Sequence, residues 1–448
     1  QSLAGRVLSM RDDAFGKVSG TAPVFTVTET QTDDLQPGIA KVVRGTFEVP
    51  LYLSGDGGPG SRMTFSPLNG QPISTGTTTA NFTCSLPVKG IKEGNSVPVV
   101  YGHGLLGSAD EAASSQVQHT AAVNNSVYCA TDIVGMAEGD TANAAAALAD
   151  INLFPSVPDR LQQAMLNTMF LGRLLTNVDG LGSAQQFQTT GGANMLNNAQ
   201  AYYDGNSQGA IFGGAVTAVS NQWTKAVLGV GGMNYSTLLD RSVDFNRFLP
   251  VLTGAYPDPI DQQLIFGVLQ MLWDRGETSG YVQHLTDRAY DRTPKHQVLM
   301  TVAFGDHQVA TITADNIART LKLPIYEPTL PKKTEPMQGV TTSQNDFFYN
   351  LGPIRKFPLD GSALYYWYQG TLAPPLGNIT PEMSAAYQAQ CQGAAAKTER
   401  QCEDPHEMPR RQPQVIAQKK AFFQDEGVIT NVCKDKPCEG KPRSEFDY

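Results

Sequence analysis

The sequence predicts an α/β fold: a doubly wound, mostly parallel sheet with an N-terminal β extension and a helical cap insertion. Three observations predict it. After residue 96, short unbroken apolar runs alternate with helical stretches, which is how strands covered on both faces read. Before that, residues 22–86 alternate apolar and polar, as strands with one wet face do. Residues 233–292 instead carry a 3.6-residue apolar period with no strand signal.

Taken in order, residues 42–53 and 80–86 read as paired edge strands around a Gly/Pro/Ser loop at 54–62. Buried parallel strands are expected at 97–101, 126–131, 199–204, 225–229, 297–303 and 363–368. A helix is expected over 158–175, with Ser156-Val157-Pro158-Asp159 in capping-box spacing at its start. In the insertion, Leu264, Val268, Met271 and Leu272 share one face, with Ile265, Leu269 and Trp273 beside it; this reads as a cap over the sheet's carboxyl edge. Residues 370–404 read as an irregular excursion held by a disulfide. The expected organisation is a β-rich extension at 1–95, a core at 96–232 and 293–426, the cap at 233–292 and a Cys-containing tail at 427–448.

Of 448 residues, 41% are hydrophobic and 17% charged, enough apolar material for a large core and far from a disordered composition. The formal charge is −9 and no basic cluster exceeds an adjacent pair such as Arg410-Arg411, which excludes a nucleic-acid partner. No apolar run reaches the 18 residues of a membrane span. The chain opens on Gln1 with a polar segment, so a removed signal peptide is expected. Six cysteines, Cys84, Cys129, Cys391, Cys402, Cys433 and Cys438, show no C-x-x-C spacing. Disulfides, and a secreted or periplasmic location, are the expectation, because a Lys/Asp/Pro-rich tail cannot bury Cys433 and Cys438 as thiols. The least demanding closures pair 391 with 402, 433 with 438 and 84 with 129, although sequence leaves 15 connectivities open.

Tyr203-Asp204-Gly205-Asn206-Ser207-Gln208-Gly209 contains G-x-S-x-G where a predicted strand meets a helix of small residues, Ala210, Gly213, Gly214 and Ala215. A chain of this composition would hold about 0.3 such matches by chance, so the pattern gains meaning only from its setting. A strained strand-to-helix turn that exposes a serine needs glycines on both sides and small residues behind. About 100 residues earlier, the strand at 97–101 runs into His103-Gly104-Leu105-Leu106-Gly107, a turn whose backbone N–H groups could receive a developing oxyanion.

With these two elements the sequence resembles the α/β-hydrolase superfamily, and the 103–107 turn is similar to that of bacterial secreted lipases. The resemblance implies a nucleophile, an acid and a histidine in that chain order. Ser207 is then the nucleophile and Asp306, just past the strand at 297–303, the acid. His406, in a loop leading into a helix at 412–423, is the base. His307 is the competing base, but adjacent side chains diverge and Asp306 could not orient its own neighbour. The N–H groups of Leu105 and Gln208 become the oxyanion hole. His103 is placed near the substrate with its ring bracing the turn, and Phe248 and Trp273 of the cap are placed against the substrate.

The function expected is a secreted serine carboxylic-ester hydrolase acting on apolar acyl or aromatic esters, small or polymeric, with no cofactor and no metal. A peptidase or amidase using the same nucleophile, and a non-catalytic binding module, are the alternatives.

Overall fold

The computed structural model describes residues 3–197, 199–331, 351–375, 377–393 and 399–448. The chain forms two compact units, Gln1–Ala226 with Val251–His296, and Val227–Pro250 with Gln297–Tyr448. The 233–292 insertion is helical, as at Pro259–Trp273, and is divided: its first part groups with the second unit and its remainder with the first.

In the first unit, β1 (Phe25–Gln31), β2 (Ile39–Leu51), β3 (Gly76–Pro87), β4 (Val97–Gly102), β5 (Ser126–Ala130) and β6 (Ala201–Asn206) run in the order β1-β2-β3-β5-β4-β6. The β1–β2, β2–β3 and β3–β5 pairs are antiparallel, whereas β5–β4 and β4–β6 are parallel. Composition explains the change. β1 alternates in burial and keeps an exposed face, while every residue of β5 and β6 is buried, as parallel strands covered on both sides must be. β7 (Trp223–Gly229) carries the chain onward, and the second unit holds β8 (Gln297–Ala303), β9 (Ala363–Tyr368) and the two-residue β10 (Cys438–Glu439), paired in parallel.

One helix was not foreseen from the sequence, and one local expectation is corrected. The polar N-terminal stretch forms a helix, Gly5–Val18, that buries Val7, Met10 and Ala14; its buried Arg11 donates to the Val219 carbonyl and the Thr293 hydroxyl. The helix expected from residue 158 spans Ser156–Thr176 and has no side-chain cap. Ser156 donates to the Leu153 carbonyl, and the buried Asp159 carboxylate pairs with Arg62 and Arg275, at 2.8 and 2.9 Å. Two arginines hold that carboxylate more strongly than a backbone N–H would.

The cysteines form Cys84–Cys129, Cys391–Cys402 and Cys433–Cys438. Loops of 45, 11 and 5 residues imply about 4, 3 and 2 kcal/mol of chain-entropy stabilisation. Cys84 and Cys129 face each other across β3 and β5, so the largest contribution falls in the first unit's sheet. No described helix is long and apolar enough to cross a membrane.

Candidate active site

Ser207 sits between β6 and the helix Gln208–Val219 with φ 58° and ψ −124°, a backbone region that costs a non-glycine residue about 1–3 kcal/mol. Its surroundings impose it. Gly102 of β4 lies opposite Gly205 of β6 in register, and a Cβ on Gly209 would stand 2.0 Å from the Gly102 carbonyl oxygen. A Cβ on Gly205 would stand 2.2 Å from the Gly209 oxygen, so only glycine fits either place. The buried Tyr203 hydroxyl donates to the Gly209 carbonyl at 2.6 Å. Ala210 and Ile211 donate to the Ser207 carbonyl, starting the helix at the serine itself. Ser207 is 7% exposed, and all twelve residues of the helix behind it are buried.

The turn after β4 is pinned by groups that sequence reasoning did not single out. Glu111 accepts from the Gly104 N–H at 2.7 Å and from the Tyr101 hydroxyl at 2.8 Å. His103 is fully buried, and its Nε2 accepts from the Ile133 N–H at 2.8 Å, so Nδ1 carries the ring proton and donates to the Gly104 carbonyl. Burial holds its pKa below the ordinary imidazole value, a neutral ring used as a strut. Leu105 follows with a partly exposed side chain, and its N–H makes no hydrogen bond among the described residues.

In the second unit, β8 ends at Ala303 and the chain turns through Gly305, φ 83°, into Asp306. The Asp306 carboxylate accepts from the Gln308 and Val309 N–H groups at 2.8 and 2.9 Å. It also takes the Nδ1–H of His406, at 2.8 Å to Oδ2 and 3.0 Å to Oδ1. That hydrogen bond leaves Nε2 as the basic nitrogen of the ring. His406 rides on the short turn Pro405–Glu407, capped by Asp404, whose Oδ1 accepts from the His406 N–H at 3.1 Å and the His307 N–H at 3.2 Å. Its Oδ2 accepts from the Gln308 side chain at 2.8 Å. Asp404 thus ties together two turns that lie about 100 residues apart in sequence, and the Asp-Pro-His run is its only local signal.

Burial works against charging His406, but Asp306, Asp404 and Glu407 outweigh it and push its pKa up to about 9. Burial also raises Asp306, opposed by His406, so the two titrate as a unit. Asp244 is raised as well, chiefly by burial, with Asp306 and Asp404 adding to the effect against His406. His307 turns its ring to Glu382, Nδ1 to Oε1 2.6 Å, and stands edge-on to Tyr387.

The structure therefore brings together Asp306 and His406 in one unit, and Ser207, Gln208, Leu105 and His103 in the other. Phe248 is half-buried under the Arg247 guanidinium, 4.8 Å from its ring centroid. Trp273 lies on the inward face of its helix, edge-on to Phe154 at 4.9 Å. That face consists of Ile265, Phe266, Leu269 and Trp273, whereas Leu264, Val268 and Met271 point to solvent.

A β3-β5-β4-β6 order with only β3 antiparallel to its neighbours, a glycine-walled serine turn after β6 and an acid after β8 define the α/β-hydrolase fold. No family model matches the sequence, and no curated protein matches it. Among solved structures, the chain is similar to acetyl xylan esterase 1 from Thermoanaerobacterium sp. JW/SL YS485, with 12% identity, 71% of this chain and 82% of that one covered, and a TM-score of 0.44. It is similar to the acetyl xylan esterase from Paenibacillus sp. R4, with 12% identity, 83% and 90% covered and a TM-score of 0.43. It is also similar to the Pyrococcus horikoshii acylaminoacyl peptidase, with 10% identity, 66% and 43% covered and a TM-score of 0.35.

Proposed function

We propose that the chain is a secreted serine carboxylic-ester hydrolase. The observation that carries this reading is the strained Ser207 turn, held by glycines that admit no Cβ; strain of this kind persists where a fold has a use for it. Ser207 Oγ attacks the ester carbonyl and gives its proton to His406 Nε2. Asp306 holds the imidazole by Nδ1–H and stabilises the imidazolium as it forms. The N–H groups of Leu105 and Gln208 receive the oxyanion, His406 returns the proton to the departing alcohol, and water clears the acyl-enzyme by the same steps in reverse. The chemistry as proposed uses side chains, backbone N–H groups and water. Three disulfides support an oxidising compartment.

For the acyl group, a preference for apolar chains is expected, with Phe248 proposed as a residue that meets them. At about 0.8 kcal/mol per buried methylene, a few carbons are worth one to two orders of magnitude in kcat/KM. Hydrolysis of nitrophenyl esters from acetate to palmitate, beside the matching anilides, tests the reading. Four to eight acyl carbons should outrun acetate, and Ser207→Ala should lower kcat by about 10⁴ to 10⁶. Anilides cleaved as fast as esters would make it an amidase, and no cleavage of either would remove the enzymatic reading.

A further inference from the structure

Apart from the serine turn, the first unit holds a cleft of about 280 Å³ at the carboxyl end of β5. Its lining is mixed: Leu51, Ala80 and Val134 are aliphatic, and Thr78, Thr79, Asn81, Thr131, Asp132, Gln163 and Asn167 are polar. Thr131 is 2% exposed, yet its hydroxyl has no hydrogen-bond partner among the described residues. A buried hydroxyl left unpaired is costly unless something enters to meet it.

Its neighbours are fixed by bonds that leave their remaining polar atoms open. Gln163 accepts from the Tyr52 N–H and donates to the Pro50 carbonyl and to Asn167 Oδ1, which sets the Asn167 amide with Nδ2 uncommitted. Asp132 Oδ1 accepts from the Ala109 N–H, and the Asp132 N–H donates to Asn81 Oδ1. Asp132 Oδ2 and Asn81 Nδ2 make no further bond among the described residues. The cleft therefore presents amide donors, hydroxyls and one carboxylate together with aliphatic side chains.

The lining selects among ligands. None of the lining residues is a Lys or Arg, so an anion would find no positive charge in the lining and would face the Asp132 carboxylate. A hydrocarbon would leave Thr131 and Asn167 unsatisfied. A neutral ring bearing several hydroxyls suits this mixed lining, its hydroxyls donating to Asp132 and accepting from the amides while its carbon face lies on Leu51 and Val134. At about 30 Å³ per water the cleft holds roughly nine waters, room for one small ring.

We propose that this cleft is a binding site for a single sugar ring or a comparable neutral polyol. It is distinct from the serine turn: β5 is separated by β4 from β6, two strand spacings or about 10 Å. Ile133, next along the chain from Asp132, donates to His103, so an occupied cleft adjoins the turn that His103 braces. The proposal does not depend on ester hydrolysis, and its test uses a protein that has lost the serine.

Ser207→Ala protein is titrated calorimetrically with xylose, glucose, glycerol and ethylammonium chloride. The expected result is one saturable site for xylose or glucose, with Kd on the order of 1 mM. Thr131→Val, close to isosteric, and Asn167→Leu should each weaken that binding about tenfold or more while the protein still melts cooperatively. The more exposed Thr79→Val serves if Asn167→Leu does not fold, and should weaken sugar binding as well. No saturable sugar binding by the folded protein, sugar binding unchanged in the variants, or tighter binding of ethylammonium than of either sugar would each overturn the proposal.

Discussion

A methyl group at Gly209 tests the serine turn with little change in chemistry. In Gly209→Ala the new Cβ would lie 2.0 Å from the Gly102 carbonyl oxygen and 2.4 Å from its carbon, whereas real Cβ atoms essentially never come within 3.0 Å. The opposing atoms are backbone of β4, which cannot rotate aside as a side-chain tip can. β4 and the helix must therefore separate by at least the difference between 2.0 and 3.0 Å. The Gln208 N–H and the Ser207 hydroxyl ride on the displaced segment, and a misplacement of about 1 Å costs on the order of 10²-fold in rate. Overpacking adds about 1–3 kcal/mol of destabilisation. Gly267→Ala is the matched control: it is also a helical glycine, but nothing lies within 4 Å of its added Cβ, so helix propensity should make it neutral or stabilising by up to about 1 kcal/mol. The assay is nitrophenyl ester turnover beside thermal unfolding for both variants. If Gly209→Ala kept wild-type kcat and stability, the close approach of Gly102 and Gly209 would not be what shapes the turn.

Further outcomes follow from the second unit. His406→Ala should approach the loss seen for Ser207→Ala, whereas His307→Ala, whose ring pairs with Glu382, should cost far less; steady-state kinetics on the two variants decides between them. Because only neutral His406 can take a proton and its pKa is pushed up to about 9, kcat/KM should rise with pH through an inflection above the ordinary 6.5. A profile that is flat from pH 5 to 9 would exclude a histidine base. Asp315, buried under the Tyr366 hydroxyl, has its pKa raised from 3.8 to about 7 by that burial, so the unfolded chain ionises first and stability is lost as pH climbs through this window. Asp315→Asn should therefore stabilise the protein at pH 8, by up to about 4 kcal/mol at 1.4 kcal/mol per pH unit, and change little near pH 4, as denaturant unfolding at both pH values would show.

What was legible in the sequence was what is local. Gly205, Ser207 and Gly209 lie within five residues, and continuous apolar runs located β4 to β9 to within about two residues because burial on both faces leaves no other composition. The pairing of Asp306 with His406 crosses 100 residues and was reached only through resemblance to a fold with a fixed chain order. Contacts without such a template stayed hidden. Asp159 looked like a helix cap because its true partners, Arg62 and Arg275, are 97 and 116 residues away. The Gly5–Val18 helix was missed because its buried face includes an arginine, whose charge masks the apolar period. Asp404 and Glu111 hold their turns through backbone N–H groups, a role any carboxylate could fill and no spacing announces.

The central claim is that one serine is the nucleophile. Labelling with a fluorophosphonate, followed by peptide mass spectrometry, tests it most directly, because the probe reacts with an activated serine whatever the natural ester is. Modification confined to Ser207, abolished in Ser207→Ala and strongly slowed in His406→Ala, is the predicted result. Label on another serine, or a Ser207 that stays unmodified in folded protein under conditions that label an unrelated serine esterase, would contradict it.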